Sequence, residues 1–357
     1  MPNATGIFRD RDYVETVEGF YFCVLGYVHP SNRVLAYLKY KPSGHGPWRK
    51  GSQKYTRAFN QYTVKNIAAT ISHLKREYPQ YVIDDPTIKT QFSAVPTSLV
   101  KKHLQPQPRL RGMIAATQRD ELEEEAVELV NVLAGEAGVD SSCFGVTGSL
   151  LMGIHDPKHS DIDLTVYGRE EAVRVKEALK RLYQTGARSV RKLSGPMLEE
   201  WCRVKAQNYP LTTEEAATIY SRTWSRALFR GRLFSVHPVK KQEEIHEKYG
   251  SSTYEPIDAV EIEATVSDAS NALFLPSTYT TQDATVHPHN AVVTDLVTYE
   301  GLYTDILHVG ERVKIRGLLE RVITQANGAV HHRILVGSMR LQGLDFIKPA
   351  RAASSAR

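Results

Sequence analysis

The stretch from Phe144 to Gly168, FGVTGSLLMGIHDPKHSDIDLTVYG, constrains this chain more than any other. A short apolar run ends at Gly148-Ser149, and Asp161-Ile162-Asp163-Leu164 begins twelve residues after the serine. Side chains alternate along a strand, so carboxylates at i and i+2 share one face. Like charges that close repel, and a divalent cation offsets the repulsion. A glycine–serine bend offers backbone N–H groups and a hydroxyl to a phosphate. A phosphate cradle beside a magnesium-binding pair is the minimum kit for nucleotidyl transfer. The bland alternative is a surface turn followed by a strand with two solvated aspartates.

Gly148, Ser149, Asp161, Ile162, Asp163 and Leu164 resemble the signature of the nucleotidyltransferase superfamily typified by DNA polymerase β. That signature is Gly-Ser, a spacer, then acidic–apolar–acidic–apolar. Gly153 and Ser160 also fit. The resemblance covers about residues 115–240 and implies the following chemistry. Asp161 and Asp163 hold Mg2+ or Mn2+, which grips a nucleoside triphosphate. An acceptor hydroxyl attacks the α-phosphorus and pyrophosphate leaves. Ser149 and the backbone at Gly148 contact phosphate oxygens.

The family usually carries a third carboxylate on the next strand. Here that strand is Arg232 to Val239, RLFSVHPV, with Ser235 and His237 on one face and no acid. Three readings follow. His237 stands in, since imidazole accepts protons and ligates metals. Alternatively Glu261 or Glu263, which share one face of a strand over Ala259–Val266, supplies the acid. In the third reading the core binds nucleotide but catalyses weakly. The competing structural readings are a strand-end histidine before Pro238 and an ordinary wet acidic face. Asp156 reads as a turn residue before Pro157, and Asp258 as a strand opener.

The expected architecture is α+β and multidomain. Residues 1–112 read as an α+β unit, with a hairpin around His29–Asn32, a loop over Pro42–Gly51 and a helix over Tyr62–Tyr78. Gln105–Arg111 reads as a linker. Residues 113–250 read as the polymerase β-like core: helix Asp120–Gly135, strand Cys143–Val146, the Gly-Ser helix, strand Asp161–Val166, helix Arg169–Tyr183 and strand Arg232–Val239. The acidic run Asp120–Glu125 reads as a solvated first turn favoured by the helix dipole. Thr212 and Glu215 form a capping box that opens a helix to Arg230, closed by Gly231. On that helix Arg222, Arg226 and Arg230 share a face and suit a triphosphate, an RNA backbone or an acidic helix. Residues 251–349 read as a small β-barrel or sandwich, OB-like in one version, with an Asn327-Gly328 hairpin. Residues 350–357 read as a disordered tail.

Charge is more telling by distribution than by its net value of +5. Residues 33–79 carry Arg33, Lys39, Lys41, Arg49, Lys50, Lys54, Arg57, Lys65, Lys75 and Arg76 against one acid, Glu77. Tyr37, Tyr40, Trp48, Tyr55, Phe59 and Tyr62 are interleaved. Cations grip phosphates and rings stack on bases, so this resembles a nucleic-acid footprint, RNA favoured. The alternative is a basic surface over an aromatic core. Cys23, Cys143 and Cys202 are odd in number and lack metal spacing, so they read as reduced core residues. With no membrane-spanning run and no signal-peptide pattern, a cytoplasmic protein without a membrane partner is expected. The oligomeric state stays open. The opening FYFCVLGYVHPSNRVLAYLKY and the later VGERVKIRGLLERVI also look like uncharacterised archaeal proteins predicted to be nucleotidyltransferases. Three functions compete: nucleotidyl transfer to nucleic acid, nucleic-acid binding by a degenerate transferase core, and nucleotide modification of a protein or small molecule.

Overall fold

Alternating apolar residues after Gly19 build the strands Tyr21–Val24 and Arg33–Ser43 in the computed structural model, which describes residues 7–59 and 63–349. These strands belong to an eight-stranded sheet with Tyr13–Thr16 and Val100–Leu104. Period-two alternation sends Phe22, Val24, Val34 and Leu38 to one face, against Leu74 of the helix Val64–Glu77. It sends Tyr13, Tyr21, Cys23, Tyr37 and Tyr40 to the other, against Leu151, Met152 and Ile154 of the central unit. Both faces are therefore buried. Tyr37, Tyr40 and Tyr55, expected as base-stacking rings, are core residues. The expected loop over Pro42–Gly51 contains a strand, Trp48–Lys50, and Tyr62 and the expected tail lie outside the described residues.

The central unit follows the expected order. An Asp120–Glu123 capping box opens the helix Glu121–Ala137, so the acidic run is a cap and first turn as expected. The strands Phe144–Val146, Ile162–Tyr167 and Arg232–Val239 stand next to one another in a five-stranded sheet. The last two run parallel, with Asp163 opposite Ser235 and Thr165 opposite His237. Ile162, Leu164, Val166, Phe234 and Val236 pack against Leu129, Leu133, Val175 and Leu179 of the covering helices. Each of those leucines contributes about 2 kcal/mol of burial. Alternation then turns Asp163, Ser235 and His237 to the opposite face.

Two expectations fail here. The supposed linker is a helix, Pro106–Ala115, whose Leu110 and Met113 enter the central core. Proline is tolerated in its first turn because the N–H it lacks would have no helical partner there. The helix opened by Thr212 runs over Thr213–Arg222 and stops. Trp224 is buried and donates from Nε1 to Asp305 Oδ2 at 2.7 Å, and Ala227 and Phe229 join the core from a strand, Arg226–Phe229. Arg230 and Gly231 have φ of 51° and 90°, so they form a hairpin turn into Arg232–Val239 and Gly231 is no helix cap.

In the C-terminal unit the strands Ser252–Asp268, Ser277–Gln282, Ala291–Thr298, Val330–Val336 and Arg312–Thr324 pair in that order, and the last pairs back with the first, so the pairings run in a ring. Arg312–Thr324 is one strand, continuous through Gly317. A Cβ there would stand 2.7 Å from the Leu335 carbonyl oxygen, so the glycine marks a close approach of a neighbouring strand. The Asn327-Gly328 turn joins Arg312–Thr324 to Val330–Val336 as a hairpin, as expected. Among the described residues no helix is long and apolar enough to cross a membrane.

Candidate active site

Asp161 immediately precedes the strand Ile162–Tyr167 and Asp163 is its second residue. Gly148, with φ of 62°, opens the helix Gly148–Met152 and lies against Asp163: an added Cβ would stand 2.5 Å from Asp163 Oδ2. The Thr147 N–H donates to the Asp163 carbonyl oxygen at 2.8 Å, and Ser149 is buried beside it. The expected bend is thus brought against Asp163. Gly153 supplies a control, since its φ is 66° but nothing lies within 4 Å of an added Cβ. Gly153→Ala is expected to cost only the left-handed backbone penalty, about 1 kcal/mol. Gly148→Ala should cost clearly more, because it also displaces Asp163. Denaturant unfolding midpoints of the two variants check this, and equal losses would show that the contact is relieved cheaply.

The neighbouring strand completes the site. The Ser235 hydroxyl donates to Asp163 Oδ1 and lies 2.9 Å from His237 Nε2, which is 3.9 Å from Asp163 Oδ1. Burial alone would raise Asp163, but His237, the Lys39 charge and the Ser235 hydrogen bond hold it far below the usual carboxylate range. Burial, helped by the Arg11 charge, pushes His237 down to about 4, so its imidazole is neutral at neutral pH. Asp161 reaches solvent, yet the surrounding protein and then the Asp163 charge push it upward, against Arg226, Arg57 and Arg232. Adjacent carboxylates driven in opposite directions are a mark of functional sites.

Both acids line a cavity of about 1120 Å³ whose walls come from all three units. Arg11, Lys39 and Arg57 enter from the N-terminal unit, Arg226 and His237 from the central one, and Glu300 and Arg333 from the C-terminal one. Two hard carboxylates, with room for waters and substrate oxygens, suit magnesium, which is commonly bound through one or two carboxylates plus phosphates. Among the described residues Asp120, Glu123 and His155 are the trio whose ligand atoms come within 4.8 Å of one another. Those atoms are already used: His155 Nε2 meets Asp120 Oδ2 at 2.7 Å, Arg109 meets Glu123 Oε1 at 2.5 Å, and the remaining oxygens form the capping box.

Several expected residues are elsewhere. Arg222 pairs with Glu311 and Arg230 with Glu128, so of the arginine row only Arg226 reaches the cavity. Glu261 pairs with Lys314 at 2.7 Å and Glu263 with Arg312 at 2.9 Å on an exposed sheet face, so neither supplies the third acid. Asp156 accepts from the Lys158 and His159 N–H groups in a turn. Asp258 accepts from its neighbour Ala259 and lies 3.4 Å from His289. All three cysteines are free and buried. Arg11, Lys39 and Arg57 carry no local signal of a shared site, because the packing of two units brings them to the aspartates.

No protein-family model matches the chain, and no solved structure does. The uncharacterized protein MJ1086 of Methanocaldococcus jannaschii is 30% identical over 345 residues, which span 96% of this chain and 99% of that protein. An alignment that covers 96% of the chain, and so runs through all three units, makes the chain a member of the same family as MJ1086.

Proposed function

We propose that the chain is a divalent-metal-dependent nucleotidyltransferase, which moves a nucleoside monophosphate from a triphosphate to an acceptor hydroxyl and releases pyrophosphate. The observation that carries this reading is the Gly148 bend pressed on Asp163, with Asp161 beside it. Asp161 and Asp163 would hold the ion, which supplies charge stabilisation to the phosphate oxygens. Ser235 and Lys39 keep Asp163 ionised and oriented. Lys39 and Arg57 place positive charge around the acids, where a triphosphate needs it. Gly148, lacking a side chain, leaves the approach to Asp163 clear, and Ser149 stands next in the bend for a phosphate oxygen. His237 takes the place of the family's third acid, and its neutral ring shares a hydrogen bond with the Ser235 hydroxyl.

An RNA acceptor loses its main support, since Tyr37, Tyr40 and Tyr55 are in the core. A second reading, a transferase core that binds nucleotide without turnover, is favoured by the absence of an acid on Arg232–Val239. The test is to incubate the full chain with each α-labelled triphosphate, Mg2+ or Mn2+, and either RNA or a small-molecule extract. Metal-dependent labelled product and pyrophosphate are expected, both lost with EDTA. Metal-dependent binding without product would favour the second reading, and no binding of any triphosphate would overturn both.

A further inference from the structure

Arg226 lines the cavity, and its guanidinium has no hydrogen bond or ion pair among the described residues. Lys205, on the helix Gly195–Asn208, lines the same cavity. Its ammonium also lacks a hydrogen bond or ion pair among the described residues. It rests between two rings, 5.4 Å from the Trp201 centroid and 5.6 Å from that of Tyr209. Trp201 is fixed in turn against Tyr220, 5.0 Å between centroids. Burial and the Arg226 charge together push Lys205 down to about 8. The counter-charge that acts on it is Glu300, but the Glu300 oxygens already accept from the Val64 N–H at 3.1 Å and the Tyr209 hydroxyl at 2.8 Å. Two unpaired cations that repel each other in one partly desolvated cavity raise the free energy of the empty protein, and a doubly charged anion between them lowers it again. Arg226 stands opposite Ser235, which stands opposite Asp163, and it also acts on Asp161, so this place adjoins the aspartate pair.

We propose that Arg226 and Lys205 form a second anion subsite, beside Asp161 and Asp163, which holds the phosphate group of a small acceptor molecule against the flat wall of Trp201. The word acceptor rests on the nucleotidyltransferase reading; the anion subsite does not. Lys39 and Arg57, from a different unit, already offset the charge around the aspartates, which leaves Lys205 for a second phosphate-bearing partner. The subsite lies within walls from all three units, which favours a small molecule over a polynucleotide lying across the surface.

The test uses the full chain, without divalent ion or nucleotide, and inorganic phosphate as the probe. Calorimetry and tryptophan emission should both report saturable binding. Lys205→Met, which keeps the contacts with the rings, should weaken it at least tenfold, and Lys205→Arg should restore most of it. Asp161→Asn combined with Asp163→Asn should leave it intact, so this site and the metal reading can fail separately. Absence of saturable binding, or binding untouched by Lys205→Met, overturns the subsite. A 5′-phosphorylated RNA oligonucleotide that displaces phosphate at tenfold lower concentration than a phosphorylated sugar does overturns the small-molecule assignment.

Discussion

Asp161→Asn combined with Asp163→Asn is expected to lower nucleotide transfer by about a thousandfold or more, roughly 4 kcal/mol of transition-state stabilisation, while the protein stays folded. Both carboxylates leave the cavity, and with them the charge that the proposed reaction needs to gather a cation. The fold should survive because the two acids contribute little to the core. Asp161 reaches solvent and is pushed upward by the Asp163 charge, so removing its own charge relieves repulsion. Asp161→Asn alone should therefore leave the unfolding midpoint unchanged or higher, a mark of a residue kept for chemistry and not for stability. Asp163→Asn replaces the charged acceptor of the Ser235 hydroxyl by a neutral one and removes the charge that His237 and Lys39 favour, at a cost of about 2 kcal/mol or more. Labelled-nucleotide transfer and denaturant unfolding of the two single variants and the double one check both halves. A double variant that transfers like the parent removes these aspartates from the reaction.

What could be read beforehand is what depends on neighbours in sequence. Ile162, Leu164 and Val166 alternate with Asp163 and Thr165, and Phe234 and Val236 alternate with Ser235 and His237, so the side of the sheet that carries polar chemistry follows from period two alone. The Asp120–Glu123 and Thr212–Glu215 capping boxes both form where the spacing puts them. The arginine row shows the limit. Spacing by four suits a helix, but the buried Trp224 and its bond to Asp305, more than eighty positions away, end the helix and turn Arg226 into a strand residue. The aromatic run in the N-terminal unit misled for a related reason. Antiparallel sheets commonly leave one face to water, whereas here the second face packs on the central unit. Lys50 Nζ donates to the Met152 carbonyl at 3.1 Å and the Arg49 N–H to that of Ile154 at 3.2 Å, which seats the basic hairpin beside the Gly-Ser helix. No local pattern encodes that docking, and it is what carries Lys39 and Arg57 to the aspartates.

Glu300→Gln is expected to remove a loss of stability that accompanies rising pH between about 5 and 7.5. Glu300 joins all three units: it belongs to the C-terminal one, accepts from the first turn of the N-terminal helix Val64–Glu77, and accepts from Tyr209 of the central unit. It is only 7% exposed. Burial lifts its carboxyl from 4.5 to about 7, with the Asp345 charge in the same direction and the Tyr209 hydroxyl, the Val64 N–H and the Lys205 charge opposing. The folded chain then holds this proton more tightly than the unfolded chain does. Stability falls as pH rises from the unfolded value through the folded one, and the loss is complete above about 7. The shift corresponds to roughly 3 kcal/mol. Glutamine cannot ionise, so the variant should match or fall below the parent at pH 5 and exceed it at pH 7.5. Asp345, also raised by burial, keeps a slope of the same sign in both proteins. Lys205, lowered to about 8, is penalised while charged and gains stability only above that pH, outside the window. Unfolding midpoints of both proteins at pH 5 and 7.5 decide the matter: parallel profiles would mean that Glu300 is ionised in the folded chain across the whole range, and that the junction of the three units is held by a charge and not by a proton.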